Sequence, residues 1–120
     1  MLLREPQATL GSLVLCAKFE ATEFSALPVE AYAEMAKVVR EIEHALKAAF
    51  DYDKINYLML MMVDPDVHFH VLPRYAKARE YQGLQFEDAT WPGPPDITAA
   101  NEFPAEVKQA LIADLRSRFA

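Results

Sequence analysis

The hydrophobic pattern of the chain begins with a short apolar run near the N-terminus. Between Thr9 and Lys18, apolar residues cluster without a helical period: Leu10, Leu13, Val14, Leu15 and Cys16. A short run of this kind with a β-branched member is typical of a strand. Gly11 near its start indicates a bulge or a close approach of another segment to the backbone. We therefore predict a strand from Thr9 to Lys18.

The longest periodic segment runs from Pro28 to Phe50. Its apolar residues recur at spacings of three and four positions: Tyr32, Met35, Ala36, Val39, Ile42, Leu46 and Phe50. This spacing places them on one face of a helix. Proline is well suited to the first turn of a helix, where its missing N–H is not needed. The pattern predicts a long helix whose apolar face covers a sheet.

Two strands are predicted after this helix. Residues Ile55 to Met62 are apolar on both faces, as expected of a central strand. Asp64 and Pro65 then provide turn chemistry, and a second strand follows from Val67 to Leu72. Because the link is short, we expect the two strands to form an antiparallel hairpin.

The last third of the chain changes character. Residues Gly83 to Pro95 include Trp91-Pro92-Gly93-Pro94-Pro95, which favours a loop over a helix or a central strand. A final helix is predicted from about Pro104 to Phe119.

This order of elements predicts an α+β fold: a small, largely antiparallel sheet packed against a long helix, with a C-terminal helix. We expect one domain over residues 1–120, with a core at about 8–75 and a loop-rich tail at 76–120. The length of 120 residues is sufficient for one hydrophobic core.

Composition and charge narrow the function. The net charge is −6, and such an acidic surface repels a phosphate backbone, so nucleic-acid binding is not expected. No apolar stretch approaches the roughly 20 residues of a membrane span or resembles a signal peptide. Cys16 is the single cysteine, so no intrachain disulfide can form. These features predict a cytoplasmic protein that does not associate with a membrane.

The segment Asp66-Val67-His68-Phe69-His70-Val71-Leu72-Pro73-Arg74 contains the candidate chemistry. Side chains alternate along a strand, so Asp66, His68 and His70 are expected on one face, roughly 6.6 Å apart. Arg74 is expected just beyond the strand, available to an anion. A row of one carboxylate and two imidazoles implies a cleft, a ligand or internal hydrogen bonds.

This segment resembles the active-site strand of the histidine triad (HIT) family, His-x-His-x-His-x-x, which is often followed by Pro-Arg. The ending Val-Leu-Pro-Arg places His68 at the central histidine, His70 at the third and Asp66 at the first. Residues 10–18, followed by Phe24-Ser25-Ala26-Leu27 and a long helix, are similar to the family's Pro-Gly-His-x-Leu-Val strand and the helix after it. The resemblance covers about residues 8–75.

The resemblance implies nucleotidyl chemistry on phosphoanhydride or phosphoramidate bonds. His68 would attack an α-phosphate as the nucleophile, and His70 would contact the phosphate or the leaving group and help with its protonation. Arg74, Asp66 and Ser12 would lie at the ligand, which is expected to be a purine nucleotide or a related phosphate compound. No cofactor is implied, and family members usually form homodimers.

The sequence also departs from the family pattern. Asp66 replaces the first histidine, Ser12 stands where the family commonly has another active-site histidine, and the link 62–65 is too short for the usual Gly-rich loop. Few residues precede Leu10, where the family usually has a further segment. A catalytically silent HIT-like binding or interaction domain therefore remains an alternative. A less favoured alternative is a small metal-binding protein that uses Asp66, His68 and His70.

Overall fold

The computed structural model describes residues 1–119. Within this range the chain forms six strands, one short 3-10 helix and two α-helices, in the order β1 (Leu2–Leu3), β2 (Leu13–Cys16), the 3-10 helix (Phe24–Ala26), α1 (Val29–Phe50), β3 (Lys54–Leu58), β4 (His68–Arg74), β5 (Arg79–Tyr81), β6 (Leu84–Phe86) and α2 (Ala105–Arg118).

Four of the strands form one antiparallel sheet in the order β1-β2-β4-β3, and β5 pairs with β6 separately. Strand β4 is central. On one side of it Val14 lies opposite His70, and on the other side Leu58 lies opposite His70. Residues directly opposite in an antiparallel pair share a face of the sheet. The predicted α+β architecture with a small antiparallel sheet is therefore confirmed.

Helix α1 covers one face of this sheet, as its periodicity predicts. It begins after Pro28, which is its N-cap. Ile42 and Leu46 are fully buried and pack in one cluster with Leu13 and Val71 of the sheet. Leu111 and Leu115 of α2 complete this cluster, so the predicted C-terminal helix adds to the same core. The histidines of β4 lie on the opposite face of the sheet.

The N-terminal strand is shorter than predicted, because residues 9–12 form a turn instead. The amide of Ser12 donates to the carbonyl of Thr9 at 3.2 Å, and Gly11 has a φ of 85°. A Cβ at Gly11 would lie 2.8 Å from the ring of Phe50. The close approach predicted at Gly11 is thus confirmed, and Phe50 of α1 is the residue that approaches.

The predicted hairpin of β3 and β4 is confirmed in its pairing but not in its length. The apolar run at 59–62 does not continue β3. Met61 has a φ of 48°, and Met59 and Met61 pack in a separate cluster with Ala21, Leu27 and Val67. The link between the two strands is therefore residues 59–67, considerably longer than the predicted 62–65.

The predicted loop at 83–95 is wrong at its start, because β5 and β6 form a hairpin there. Gln82 and Gly83 both have positive φ, 51° and 78°, which is the geometry of a tight hairpin turn. Beyond this hairpin the tail returns to the N-terminal segment, where Asn101 pairs with Gln7. Neither α-helix of residues 1–119 is long and apolar enough to span a membrane.

Candidate functional site

The two candidate histidines lie side by side on the face of β4 that α1 does not cover. Both belong to the strand, at its first and third residues. Their ring centroids are 5.2 Å apart, and the ring planes cross at 74°. The alternation predicted for this strand therefore brings His68 and His70 together at one end of the sheet.

The ring of His68 is fixed by a backbone carbonyl. Its Nδ1 lies 2.7 Å from the carbonyl oxygen of Asp66. A carbonyl oxygen can only accept a hydrogen bond, so Nδ1 carries a proton, and in the neutral imidazole the free lone pair is therefore on Nε2. The same peptide unit is held at its other end, because the amide of Val67 donates to the carbonyl of Ala21 at 2.9 Å.

His68 is largely enclosed, with 8% of its surface exposed. Within residues 1–119, every buried side-chain nitrogen or oxygen has a hydrogen-bond partner. Nε2 of His68 has none in this part of the chain, so this atom is not sealed from solvent. The one unused polar atom of the ring thus keeps some exposure to solvent.

His70 is fixed by a cation instead. The Nε–H of Arg4 donates to Nδ1 of His70 at 3.1 Å. Burial lowers the pKa of His70, and the positive charge of Arg4 and the ring of His68 lower it further. The imidazole is therefore neutral near pH 7, with Nδ1 as the acceptor and the proton on Nε2.

Asp66 does not join the two histidines on the strand. It precedes β4, and its residue is exposed. Its amide donates to Oδ1 of Asp64 at 3.0 Å, which closes a local turn. The expectation of three side chains in one row is therefore wrong: Asp66 contributes its backbone carbonyl to His68, and its carboxylate lies at the surface.

Arg74 does not lie beyond the strand, as the sequence suggested. It is the last residue of β4, is 4% exposed, and pairs with the buried Asp88 through Nε at 2.6 Å. Its NH1 donates to Asn56 at 2.7 Å, and its NH2 donates to the carbonyl of Gly93 at 2.9 Å. The expectation of a free guanidinium is corrected, because the tail encloses this group.

Ser12 is also enclosed. Its side chain is fully buried, and its Oγ donates to the carbonyl of Thr9 at 2.7 Å and accepts from the amide of Thr9 at 3.0 Å. These bonds commit the hydroxyl to the turn before β2. The expectation that Ser12 lies at the ligand has no support in this geometry.

Apolar and thiol side chains flank the histidines across the sheet. The register places Leu2, Val14 and Leu58 in one row with His70, and it places Cys16 opposite His68. Leu2 is 64% exposed and Cys16 is also exposed. Although Cys16 belongs to the apolar run of β2, it does not lie in the core, because it faces the side of the sheet that α1 leaves open.

Sequence reasoning missed Arg4 as a site residue. This residue lies 66 positions from His70 in the chain, and no local motif connects the two. The contact depends on the N-terminal segment folding back over the sheet, which the residues around Arg4 do not indicate.

Two cavities lie away from the histidines. One of about 310 Å³ lies between α1 and the other face of the sheet, and one of about 500 Å³ lies beside Arg74 and Trp91. Neither cavity is lined by His68 or His70. In the described range 1–119, no group of three or more His, Cys, Asp or Glu residues could hold a metal ion. Asp66, His68 and His70 therefore do not assemble into a metal site.

The structure defines this chain as a small α+β protein with two neighbouring histidines on the central strand of its sheet. A family model described as the HIT domain matches residues 1–77. The chain therefore belongs to the HIT family, and the match covers both histidines and Arg4.

Solved structures agree on the fold. The chain is similar to a histidine triad (HIT) protein from Sinorhizobium meliloti 1021, with 22% identity, a TM-score of 0.73, and coverage of 97% of this chain and 79% of that one. A histidine triad protein from Bradyrhizobium japonicum has 21% identity and a TM-score of 0.72, with coverage of 94% of this chain and 80% of that one. A hypothetical histidine triad nucleotide-binding protein from Sulfolobus tokodaii strain7 has 20% identity and a TM-score of 0.70, with coverage of 98% of this chain and 74% of that one. The comparison with curated proteins gave no match.

Proposed function

We propose that this protein binds a nucleotide at His68 and His70 and hydrolyses or transfers its nucleotidyl group, with His68 as the nucleophile. The hydrogen bond from His68 Nδ1 to the Asp66 carbonyl carries the proposal. It places the proton on Nδ1 and leaves the lone pair of Nε2 available, as nucleophilic attack by an imidazole requires.

The reaction would proceed in two displacements. Nε2 of His68 attacks the α-phosphorus of a phosphoanhydride or phosphoramidate. The bond to the leaving group breaks, and that group departs with the electron pair and is protonated from the solvent. Water then attacks the nucleotidyl-His68 intermediate and gives its proton to the solvent, which releases the nucleoside monophosphate and restores neutral His68. While the intermediate exists its ring is positively charged, and the Asp66 carbonyl stabilises the Nδ1–H of that cation.

The expected ligand is a purine nucleotide or a related phosphate compound. The Nε2–H of His70 is suited to donate to a phosphate oxygen, because Arg4 holds the other nitrogen. Leu2 and Val14, beside His70, offer an apolar surface of the kind on which a base or ribose can pack.

A catalytically silent binding domain is the second candidate. The exposed carboxylate of Asp66, two residues before His68, adds negative charge that disfavours an incoming phosphate, and Arg74 and Ser12 are committed elsewhere. His68 is only 8% exposed, so a substrate must fit closely or displace neighbouring side chains.

Enzyme assays would test the catalytic proposal. Adenosine phosphoramidate and dinucleoside polyphosphates are incubated with the wild type, His68→Ala and His44→Ala. His44 is an exposed histidine on α1 and serves as the matched control. We expect turnover by the wild type and by His44→Ala, and none by His68→Ala above the rate without protein. Equal rates for the wild type and His68→Ala would contradict a nucleophilic His68.

Binding assays separate the two candidates if turnover is absent. Thermal shifts are measured with AMP, GMP and zinc. A shift with a nucleotide but no turnover supports the silent binder, since a ligand that binds only the native state raises the melting temperature. A shift with zinc alone would contradict both candidates.

The same proposal includes a homodimer in the cytoplasm, with the 120-residue chain as one domain. Strand β3 is at the edge of the four-stranded sheet, and an edge strand can pair with a second chain. The single cysteine suits a reducing compartment. Sedimentation velocity would test the dimer, and a monomer across micromolar concentrations would contradict it.

A further inference from the structure

Within residues 1–119, Arg4 is the one cation that donates a hydrogen bond to a candidate site histidine. Its guanidinium is enclosed, with the residue 9% exposed. Nε donates to His70, NH1 donates to the carbonyl of Pro6 at 2.8 Å, and NH2 donates to the carbonyl of Ile97 at 2.7 Å. Three separate segments of the chain thus fix the direction of this side chain.

The backbone of Arg4 is fixed as firmly as its side chain. The amide of Arg4 donates to the carbonyl of Ser12 at 2.9 Å. Its carbonyl accepts from Nε2 of the buried Gln7 at 2.6 Å. Asn101 of the tail then holds the carbonyl of Gln7 through its side-chain amide at 3.0 Å. A long side chain restrained at both ends can hold its charge at one defined position beside His70.

We propose that Arg4 is a positioning residue that keeps His70 neutral and fixes its proton on Nε2, so that His70 serves as a hydrogen-bond donor to an anionic ligand. A guanidinium has donors but no acceptor, and it does not lose its charge in proteins. It can therefore bond only to the unprotonated Nδ1 of His70. An imidazolium at this position would lose that bond and place two cations in contact.

This inference rests on the proposed function for its ligand, and it differs from one sequence-based expectation. The sequence-based expectation gives His70 a share in protonating the leaving group. A neutral imidazole is a poor acid, so His70 instead stabilises the phosphate through Nε2–H while the leaving group takes its proton from solvent.

The groups that face His70 are few. Arg4 comes from the segment after β1, and His68 comes from the same strand. The neighbours across the sheet, Val14 and Leu58, are apolar. The nearest carboxylates along the contacting segments are engaged elsewhere: Glu5 pairs with Lys108, and Asp96 accepts from Thr98. Burial lowers the pKa of His70 most, and among these neighbours Arg4 is the charged group that lowers it further.

Imidazole NMR would test the inference without any substrate. The nitrogen shifts of the three histidines are followed from pH 4.5 to 8.5 in the wild type, Arg4→Met and Arg40→Met. His44→Ala and His68→Ala assign the signals. Arg40 is an exposed arginine on α1 and serves as the matched control. We expect His70 to be the Nε2–H tautomer in the wild type and in Arg40→Met, and to titrate below the ordinary histidine range.

Arg4→Met should raise the pKa of His70 and produce a mixture of tautomers. If Arg4→Met does not fold, as judged by circular dichroism, Arg4→Lys gives the second measurement. It keeps the charge but not the fixed Nε–H, so the pKa should stay low while the tautomer preference weakens. An Nδ1–H tautomer in the wild type, or an unchanged His70 in the variants, would overturn the inference.

AMP titration supplies the functional readout. Loss of the fixed donor in Arg4→Met should weaken AMP binding about tenfold, corresponding to about 1.4 kcal/mol. If the NMR result holds but the wild type binds no AMP, the proposed function fails and the positioning role stands. If AMP binds but Arg4→Met changes neither the NMR signals nor the affinity, the positioning role fails alone.

Discussion

The face of β4 that α1 does not cover has two halves that differ in chemistry although the same strand bears both. In the open half, His68 and His70 each keep a ring nitrogen that their protein partners do not use. In the closed half, Leu72 and Arg74 are 0% and 4% exposed. The difference arises because the tail covers only one half, where Arg74 donates hydrogen bonds to the carboxylate of Asp88 and the carbonyl of Gly93.

This contrast separates recognition of the family from assignment of the site. The ending Val-Leu-Pro-Arg fixes the register of the histidines, yet its arginine is a structural residue here. The ion pair of Arg74 and Asp88 anchors the tail to the sheet, and the tail in turn presents the carbonyl of Ile97 to Arg4. The closed half therefore supports the half at which we place the chemistry.

The largest expected effect is on the closed half. Arg74→Met leaves the carboxylate of Asp88 buried with the amide of Tyr75 as its remaining donor. Removing one partner of a buried pair typically lowers the free energy of unfolding by about 3–5 kcal/mol. Urea denaturation would measure this loss.

The control for Arg74 is Lys18→Met, which breaks an exposed contact with Glu34 and should lower the free energy of unfolding by about 0–1 kcal/mol. The double variant Arg74→Met/Asp88→Leu should recover part of the stability, since an apolar pair can replace a buried ion pair. If Arg74→Met were as stable as Lys18→Met and instead bound AMP poorly, the two halves would form a single site.

A smaller effect is expected at Ser12, which is fully buried in the turn before β2. Ser12→Ala leaves the amide and the hydroxyl of Thr9 without this partner. The free energy of unfolding should therefore fall by about 1–3 kcal/mol. AMP affinity should not change. Ser25→Ala is the exposed control, expected to lie within about 0.5 kcal/mol of the wild type in urea. Loss of AMP affinity with unchanged stability would restore Ser12 to the site.

Sequence pattern predicted the elements that have a long or strict period. Helix α1 begins within one residue of its prediction, and the strand alternation placed both histidines on one face. The hairpin of β5 and β6 was not predicted, because each strand has three residues, too few to show a period. The apolar run at 59–62 was assigned to β3 because hydrophobicity alone does not distinguish a strand from a loop that packs on its own cluster.

The surroundings of the site could not be predicted from local pattern. Arg74 meets Asp88 14 positions away, and Arg4 meets His70 66 positions away. Both contacts depend on how the tail and the N-terminal segment fold back over the sheet. The contact of Asp66 with His68 could not be predicted either. It is made by the backbone carbonyl of Asp66, which every residue type has, and not by the carboxylate that the sequence specifies.

The smallest expected effect concerns Asp66 at the open end. Its contact with His68 is through the backbone, so Asp66→Asn should preserve the fold and the Nδ1–H tautomer of His68. The substitution removes an exposed negative charge near the site. AMP should bind about two- to fivefold more tightly at low salt, and this gain should disappear at high ionic strength. Isothermal titration at two salt concentrations would measure both values.

The matched control for Asp66 is Asp51→Asn. It changes the net charge equally, but at the C-terminal end of α1, next to the segment that leads into Lys54 opposite Arg74. Asp51 adopts a left-handed conformation that asparagine accepts well, so the control should fold normally. An equal gain in both variants would attribute the effect to net charge. Weaker AMP binding in Asp66→Asn alone would instead show that the carboxylate acts at the ligand, and the open half would then use the side chain of Asp66 as well as its carbonyl.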